Sequence, residues 1–313
     1  MALPYLSPAF SPRSQEDLEF LRGINWETGF SLFWIDIVRP VLEVKGAKCL
    51  LEIGASQGDH TRLLLRYCDT SAGQIHVVEP FVTPRLREVL SRSTRARLYE
   101  GTSHNVLRTI DAPIDAVLLE GDLNYTTAYH DLLGIQDMAH RNNAPFPLVF
   151  FTAASWPYAR RDMYYDPEAV PKSYRHEYAR SGMTPWEPGL HEHLINFPFA
   201  NAVREGGPKN GVLTAVEDFL KDTAAPLRLY SLPVNHGLGV LYAPGSSEGR
   251  YIEENLQAPP GLRALLETWE LARLNQRVMG LMPPRATEGR GARGSFARAL
   301  RRSGRAMIRV IER

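Results

Sequence analysis

Residues 49–67, CLLEIGASQGDHTRLLLRY, restrict the fold more than any other stretch of the chain. An apolar run closes on Glu52, glycines stand at 54 and 58, and a helical pattern begins near Asp59. That order reads as strand, tight turn and helix. Gly54 can take a positive φ that other residues adopt only at a cost, and the small residues Ala55, Ser56 and Gly58 let a ligand approach the main chain closely. The following helix points its unpaired N–H groups and positive dipole end into the same crevice, which suits a carboxylate or phosphate. A dinucleotide fingerprint needs G-x-G-x-x-G at this point. Gly54-Ala55-Ser56-Gln57-Gly58-Asp59 lacks it, so the nicotinamide reading weakens.

Further strands follow in order. Residues 74–78 are an apolar run ending in Glu79-Pro80, about 20 residues past the turn, where nucleoside-binding α/β folds place an acceptor for ribose hydroxyls. A carboxylate there can accept from both hydroxyls at once. Residues 98–101 read as a third strand, followed by Thr102 and Ser103 at a strand end, the place where open α/β sheets bind ligand. Residues 114–125, IDAVLLEGDLNY, form the fourth strand and its turn. Residues 148–151, 227–232 and 237–242 supply the fifth, sixth and seventh strands.

Composition sets outer bounds. With 313 residues and 44% hydrophobic content, the chain has material for one large core with additions. A formal net charge of +1 argues against the bulk of the chain as a polyanion binder. There is no early basic and apolar leader and no 18-residue apolar run, so neither export nor membrane spanning is expected. Cys49 and Cys68, the two cysteines, make no disulfide framework and point to a reducing cytoplasm.

The motifs together resemble a known family. Glu52-x-Gly54-x-Ser56-x-Gly58 is similar to the first motif of class I S-adenosylmethionine-dependent methyltransferases, E/D-x-G-x-G-x-G, with serine in place of the middle glycine. The run Asp115, Val117, Glu120-Gly121-Asp122, Tyr125 and Asp131-Leu132 resembles the small-molecule methyltransferases related to the sugar O-methyltransferases of macrolide and aminocoumarin biosynthesis, whose usual form is D-G-D-H-x-Y. The resemblance covers residues 45–245. It implies an α/β fold, a Rossmann-like seven-stranded methyltransferase sheet with helices on both faces, here with an N-terminal helical cap (1–46) and a C-terminal helical extension (246–284). It implies S-adenosylmethionine as cofactor and S-adenosylhomocysteine as product. The cofactor-binding set is then Glu52, Gly54, Ala55, Ser56, Gly58, Thr61, Glu79, Thr102, Ser103, Glu120 and Gly121. Asp122 would sit beside the transferred methyl, with Tyr125 lining the same crevice.

One departure bears on metal. In the metal-dependent members Mg²⁺ is held by the aspartate of the fourth-strand motif and by acidic residues just after the fifth strand, as a hard cation requires. Here that strand runs into Thr152-Ala153-Ala154-Ser155-Trp156-Pro157, and Leu123 stands where the histidine would be. A Mg²⁺ site is therefore not expected. His191-Glu192-His193 lacks a third partner at usable spacing.

Residues 152–211 insert a long segment rich in aromatics, Arg and His, too long for a plain loop in a compact domain. Trp156, Tyr158, Tyr164, Tyr165, Trp186 and Phe199 suit an aromatic-lined pocket or lid, with Arg160 and Arg161 available to an anionic or hydroxylated substrate. The alternative is a structural extension. Glu205 to Gly211 is a turn cluster whose glycines could also approach ligand. Residues 14–21 read as a helix from a capping box at Ser14 and Asp17, and residues 28–44 as a second one interrupted by Pro40. These cover the substrate side of the pocket or pack on the sheet edge. Residues 262–279 form a C-terminal helix. In the basic tail, 285–313, nine arginines against two glutamates give about +7 and leave about −6 on the rest. Its helical spacing of apolar residues makes it a candidate amphipathic helix for an acidic patch, an anionic lipid surface, nucleic acid or an oligomer contact.

A sulfonium methyl is already electrophilic, so positioning supplies much of the rate and no catalytic triad is required. A hydroxyl acceptor still needs a base within reach. Asp122 and His191 are the expected pair, with His104, His130, His193 and His236 also eligible. The favoured reading is O-methylation of a hydroxylated small molecule, a specialised metabolite or sugar, by a cytoplasmic enzyme, with a homo-oligomer possible. A nucleic-acid methyltransferase is disfavoured because Glu120-Gly121-Asp122-Leu123 does not match D/N-P-P-Y/F. The remaining alternative binds the cofactor without transferring methyl.

Overall fold

The computed structural model describes residues 29–282 and Arg22. The expected helix at 14–21 and the basic tail lie outside the described residues. Seven strands form the central sheet: β1 (Cys49–Ile53), β2 (Gln74–Glu79), β3 (Ala96–Glu100), β4 (Ala116–Leu119), β5 (Leu148–Thr152), β11 (Arg228–Leu232) and β12 (Leu238–Tyr242). Their order is β11-β12-β5-β4-β1-β2-β3. β1 to β5 run parallel, while β12 enters antiparallel to both β5 and β11. β1, β4, β5 and β12 are buried along their whole length, which is why they read as continuous apolar runs rather than alternating ones.

Alternate residues of each strand serve opposite cores. Leu50, Leu118, Phe150 and Val240 pack with Phe30, Trp34, Val41 and Leu64 on one face. Leu51, Leu119, Phe151 and Leu241 pack with Leu132, Ile135, Val216 and Phe219 on the other. Helices therefore cover both faces. The first face carries α1 (Arg39–Lys45), α2 (Asp59–Ser71), α3 (Pro84–Ser91) and α7 (Ser247–Asn255). The second carries α4 (Ser103–Val106), α5 (Tyr125–Arg141) and α6 (Val212–Asp222). A last helix, α8 (Pro260–Leu281), packs Leu274 and Val278 on Ile195.

Two expectations change in detail. The segment read as one helix over 28–44 is a 3₁₀ turn (Ser31–Phe33), a π turn (Trp34–Val38) and then α1. Pro40 has no N–H for the carbonyl four residues back, and the chain widens to π geometry before it. The C-terminal extension is two helices, because α7 ends before Pro259 and Pro260 begin α8.

The long insertion has its own small sheets: β6 (Met163–Tyr164), β10 (Ala200–Ala202) and β7 (Tyr178–Arg180) form one, and β8 (Gly182–Thr184) with β9 (Glu187–His191) form another. A buried carboxylate ties it to the domain. Asp162 Oδ1 accepts from the N–H of Tyr125 and of Gly211, both at 2.7 Å, and Oδ2 accepts from the Tyr164 hydroxyl at 2.8 Å. Its own N–H donates to Asn210 Oδ1 at 2.7 Å. Arg161, fully buried, donates to the Val203 and Ala202 carbonyls and pairs with Glu205 at 3.1 Å. Asp162→Ala would leave three buried donors without an acceptor, at about 1–3 kcal/mol each. The variant is expected to lose at least 3 kcal/mol or so in urea unfolding, whereas a change within about 1 kcal/mol would show that the knot is not structural.

Candidate active site

The site is built where the ends of β2, β1 and β4 meet. Gly54 N–H donates to the Val78 carbonyl at 3.0 Å, and Glu120 N–H donates to the Ile53 carbonyl at 2.9 Å. Gly54 has φ +87°, and a Cβ on it would overlap the carbonyl oxygen of Glu120. The bare Cα is thus required by the end of β4. A side chain there would force the two strand ends apart before it met any ligand.

Glu79 fixes the turn from the side. Its Oε2 accepts from Ser56 N–H at 2.8 Å and its Oε1 from Phe81 N–H at 2.9 Å. Ser56 is held at φ +50° where the family motif has glycine. Phe81, which follows, is 76% exposed and offers an open aromatic face beside Glu79. Ala55 is buried and its carbonyl takes the Gly58 N–H at 2.8 Å, which closes the turn into α2.

Glu52 lies beneath this loop. Thr61 donates to its Oε2 at 2.7 Å, while its buried Oε1 has no hydrogen-bond partner. Burial pushes this carboxyl up to about 7, with Glu120 and Glu79 adding like charge and His60 opposing. Glu120 pairs with His60 Nδ1 at 3.2 Å, and His60 Nε2 lies 3.2 Å from Ser31 Oγ. A Cβ on Gly29 would overlap both the Glu120 carboxylate and the His60 ring, so the chain at Gly29 lies directly on this group. His60 escapes sequence reasoning because its partners come from the cap and from β4. The one available signal was its place in the first turn of the helix after the glycine loop.

Asp122 follows Gly121 at the end of β4. Its Oδ1 accepts from Tyr165 N–H at 3.1 Å and its Oδ2 from Asn124 Nδ2 at 2.7 Å. Burial, with Asp162 nearby, pushes it up to about 7. Asp131 on α5, also pushed to about 7 by burial, accepts a hydrogen bond from Ser103. The insertion reaches this point through Met163, whose N–H donates to the Leu123 carbonyl at 3.0 Å, and through Tyr165, whose ring meets Phe199 edge-on at 5.8 Å. Thr102 caps the short α4 beside Ser103.

The other expected substrate residues lie differently. Arg160, partly exposed, makes a two-point pair with Glu217 at 2.6 and 2.7 Å, and Arg161 is enclosed as described. Tyr158 is buried with its hydroxyl on Asn201, Tyr164 is buried on Asp162, and Tyr125 is buried with its hydroxyl on Asp218 at 3.1 Å. Trp156 is half-buried and its carbonyl takes His236 Nδ1 at 3.2 Å. Gly211 packs on the Ala159 carbonyl, so the turn cluster serves the backbone there. His191 is on β9, paired with Glu187 at 3.1 Å. His104 lies against Arg108, His130 against the Thr126 carbonyl and His193 against Phe197, while burial lowers His236 to about 4. Among the described residues no group of three or more His, Cys, Asp or Glu side chains is placed to hold a metal ion, and no helix is long and apolar enough to cross a membrane.

Solved structures with a similar chain path include the SAH-bound Podospora anserina methyltransferase PaMTH1 (15% identity, 75% of this chain and 98% of that one, TM-score 0.45). Others are human N-acetylserotonin methyltransferase in complex with SAM (12%, 72% and 56%, TM-score 0.37) and an rRNA methylase from Streptococcus thermophilus (14%, 65% and 91%, TM-score 0.33). No family model and no curated protein matches the chain. The seven-stranded order with its single antiparallel insertion, β12, is that of the Rossmann-like methyltransferase sheet.

Three buried carboxyls make stability depend on pH. Glu52, Asp122 and Asp131 have ordinary values of 4.5, 3.8 and 3.8 and stand near 7 when folded. Between these limits the three carboxyls bind more protons in the folded chain than in the unfolded one, so their contribution to stability falls as pH rises through about 7 and outweighs the opposite slope of His236, lowered from 6.5 to about 4. Urea midpoints measured across that window should fall with pH and flatten in Asp131→Asn. A midpoint that rises from pH 5 to 7 would contradict the burial of these groups.

Proposed function

We propose that the chain is an S-adenosylmethionine-dependent methyltransferase that methylates a hydroxyl of a small molecule. The observation that supports this reading is the backbone contact between Gly54 and Glu120, which brings the glycine turn close to the end of β4, two residues from the Asp122 carboxyl. Ligands of open α/β sheets bind at such a switch point.

The residues fit the cofactor. Glu79 lies where ribose hydroxyls are accepted, Phe81 offers a face to a nucleobase, and the turn Gly54 to Gly58 leaves its main chain approachable. Glu52 and Glu120, together with Glu79, make the crevice acidic, which favours a ligand carrying a sulfonium and an ammonium. Thr61 orients Glu52, and Thr102, Ser103 and Gly121 border the same strand ends.

Bound adenosylmethionine supplies a methyl that is already electrophilic. What the protein adds is placement of the acceptor oxygen in line at about 3 Å, exclusion of water, and a base. Asp122 has the matching proton affinity, and Tyr165 and Phe199 stand beside it to flank a flat or sugar-like acceptor. His191, on a separate hairpin and paired with Glu187, is the lesser candidate for the base. A specialised metabolite or sugar is the acceptor class we favour. The buried free cysteines fit a cytoplasmic site of action.

Calorimetry tests the cofactor reading. Adenosylmethionine adds positive charge beside Glu52, which lowers its proton affinity, so binding near the Glu52 midpoint of about 7 should release protons. The observed heat should change with the ionisation enthalpy of the buffer. No heat with either adenosylmethionine or adenosylhomocysteine would sink the proposal. Release of adenosylhomocysteine with one member of a panel of hydroxylated acceptors separates a transferase from a protein that merely binds the cofactor.

A further inference from the structure

Asp122 borders a small, partly open pocket. A cavity of about 10 Å³ is lined by Asp122, Gly121, Asp131, Thr152, Phe151 and Val212. That is the room one water needs, on the order of 10–15 Å³, if it finds two to four polar partners. Thr152 is 8% exposed, and its Oγ1 is buried without a hydrogen-bond partner. Asp131 is 3% exposed; Ser103 occupies its Oδ1, and its Oδ2 lies toward Gly121, 3.4 Å from where a Cβ there would stand. Thr152, Asp131 and Asp122 thus offer three polar partners around one water-sized space.

We propose that one ordered water fills this cavity and links Asp122 to Asp131, so that Asp122, the water, Asp131 and Ser103 form the exit route for the proton lost by the acceptor hydroxyl. This rests on the methyl-transfer reading. In the transfer the acceptor oxygen forms a bond to the methyl carbon, the carbon–sulfur bond breaks with its pair going to sulfur, and the hydroxyl proton goes to the Asp122 carboxylate. Asp122 then gives a proton to the water, which gives one to Asp131. Ser103, whose hydroxyl donates to Asp131 at rest, turns to accept the proton from Asp131 and releases its own to solvent: Ser103 is half-buried and flanked by exposed Thr102 and His104. The titratable groups facing the route are few. Asp162 and the Tyr164 and Tyr165 side of the insertion face Asp122, and Asp122 itself faces Asp131. Two carboxyls lining one small pocket share a proton more readily than either ionises beside the other. Asp131 acts through Asp122 and does not touch the acceptor.

Two variants test the route. Thr152→Val keeps shape and charge but removes the hydroxyl that holds the water. Its kcat should fall about tenfold with an unchanged pH midpoint and an unchanged KM for adenosylmethionine. Asp131→Asn still accepts from Ser103 but cannot take the proton. Its kcat should fall at least as far, its pH midpoint should move down because a like charge is gone, and the carboxylic-acid C=O band of the ligand-free protein should weaken in the infrared. A high-resolution crystal structure of the native protein should show the water, and that of Thr152→Val should lack it. A dry native cavity, or full kcat in Thr152→Val, overturns the route while leaving methyl transfer standing. A native protein that binds no adenosylmethionine defeats the underlying reading instead.

Discussion

The rest of the structure depends on how closely the turn after β1 approaches the end of β4. Parallel strands β2, β1 and β4 are stitched through their last residues by Gly54 to Val78 and by Glu120 to Ile53. The absent side chain at position 54 lets the Glu120 carbonyl come against the turn. Because these ends are pinned, Glu52, Glu79, Glu120 and Asp122 converge on one crevice although 70 residues separate the first from the last. A small displacement here would loosen Glu79 and Asp122 together.

The same crevice concentrates negative charge under low exposure. Glu52 and Asp131 are held mainly by one hydroxyl each, Thr61 and Ser103, so burial outweighs hydrogen bonding and both carboxyls sit near neutrality. Asp122 is met by the Tyr165 and Leu123 N–H groups and by Asn124, yet burial still dominates. The insertion contributes to that burial: β6 lies along Leu123 and places Tyr165 on Asp122, and Asp162 locks β6 to α5 and α6. The insertion therefore affects proton affinity at the site as well as access to it.

The sheet was legible because strands buried on both faces must be apolar throughout, and the glycine turn and Glu79 were legible because the turn demands small residues and the acid falls one strand later. Gly54 was read as taking a positive φ, which it does at +87°; that its missing Cβ also admits the Glu120 carbonyl depends on a strand 66 residues away and was not legible. The insertion was less legible. Its strands are two to five residues long and held by distant partners, so no local period betrays them. Tyr158, Tyr164, Arg160 and Arg161 look like pocket groups by residue type, but their polar atoms are taken up by Asn201, Asp162, Glu217 and backbone carbonyls. His60 and Asp131 take their meaning from neighbours 29 and 28 residues away, Ser31 and Ser103, which sequence spacing alone does not reveal.

The central claim is that the ends of β1, β2 and β4 form one nucleoside site. A crystal structure of the protein with adenosylhomocysteine tests it most directly. The account predicts density for the ribose at Glu79, for the amino-acid end between the glycine turn and Glu120, and for the sulfur on the Asp122 side. Density bound anywhere else on the chain, or none at saturating ligand, would contradict it.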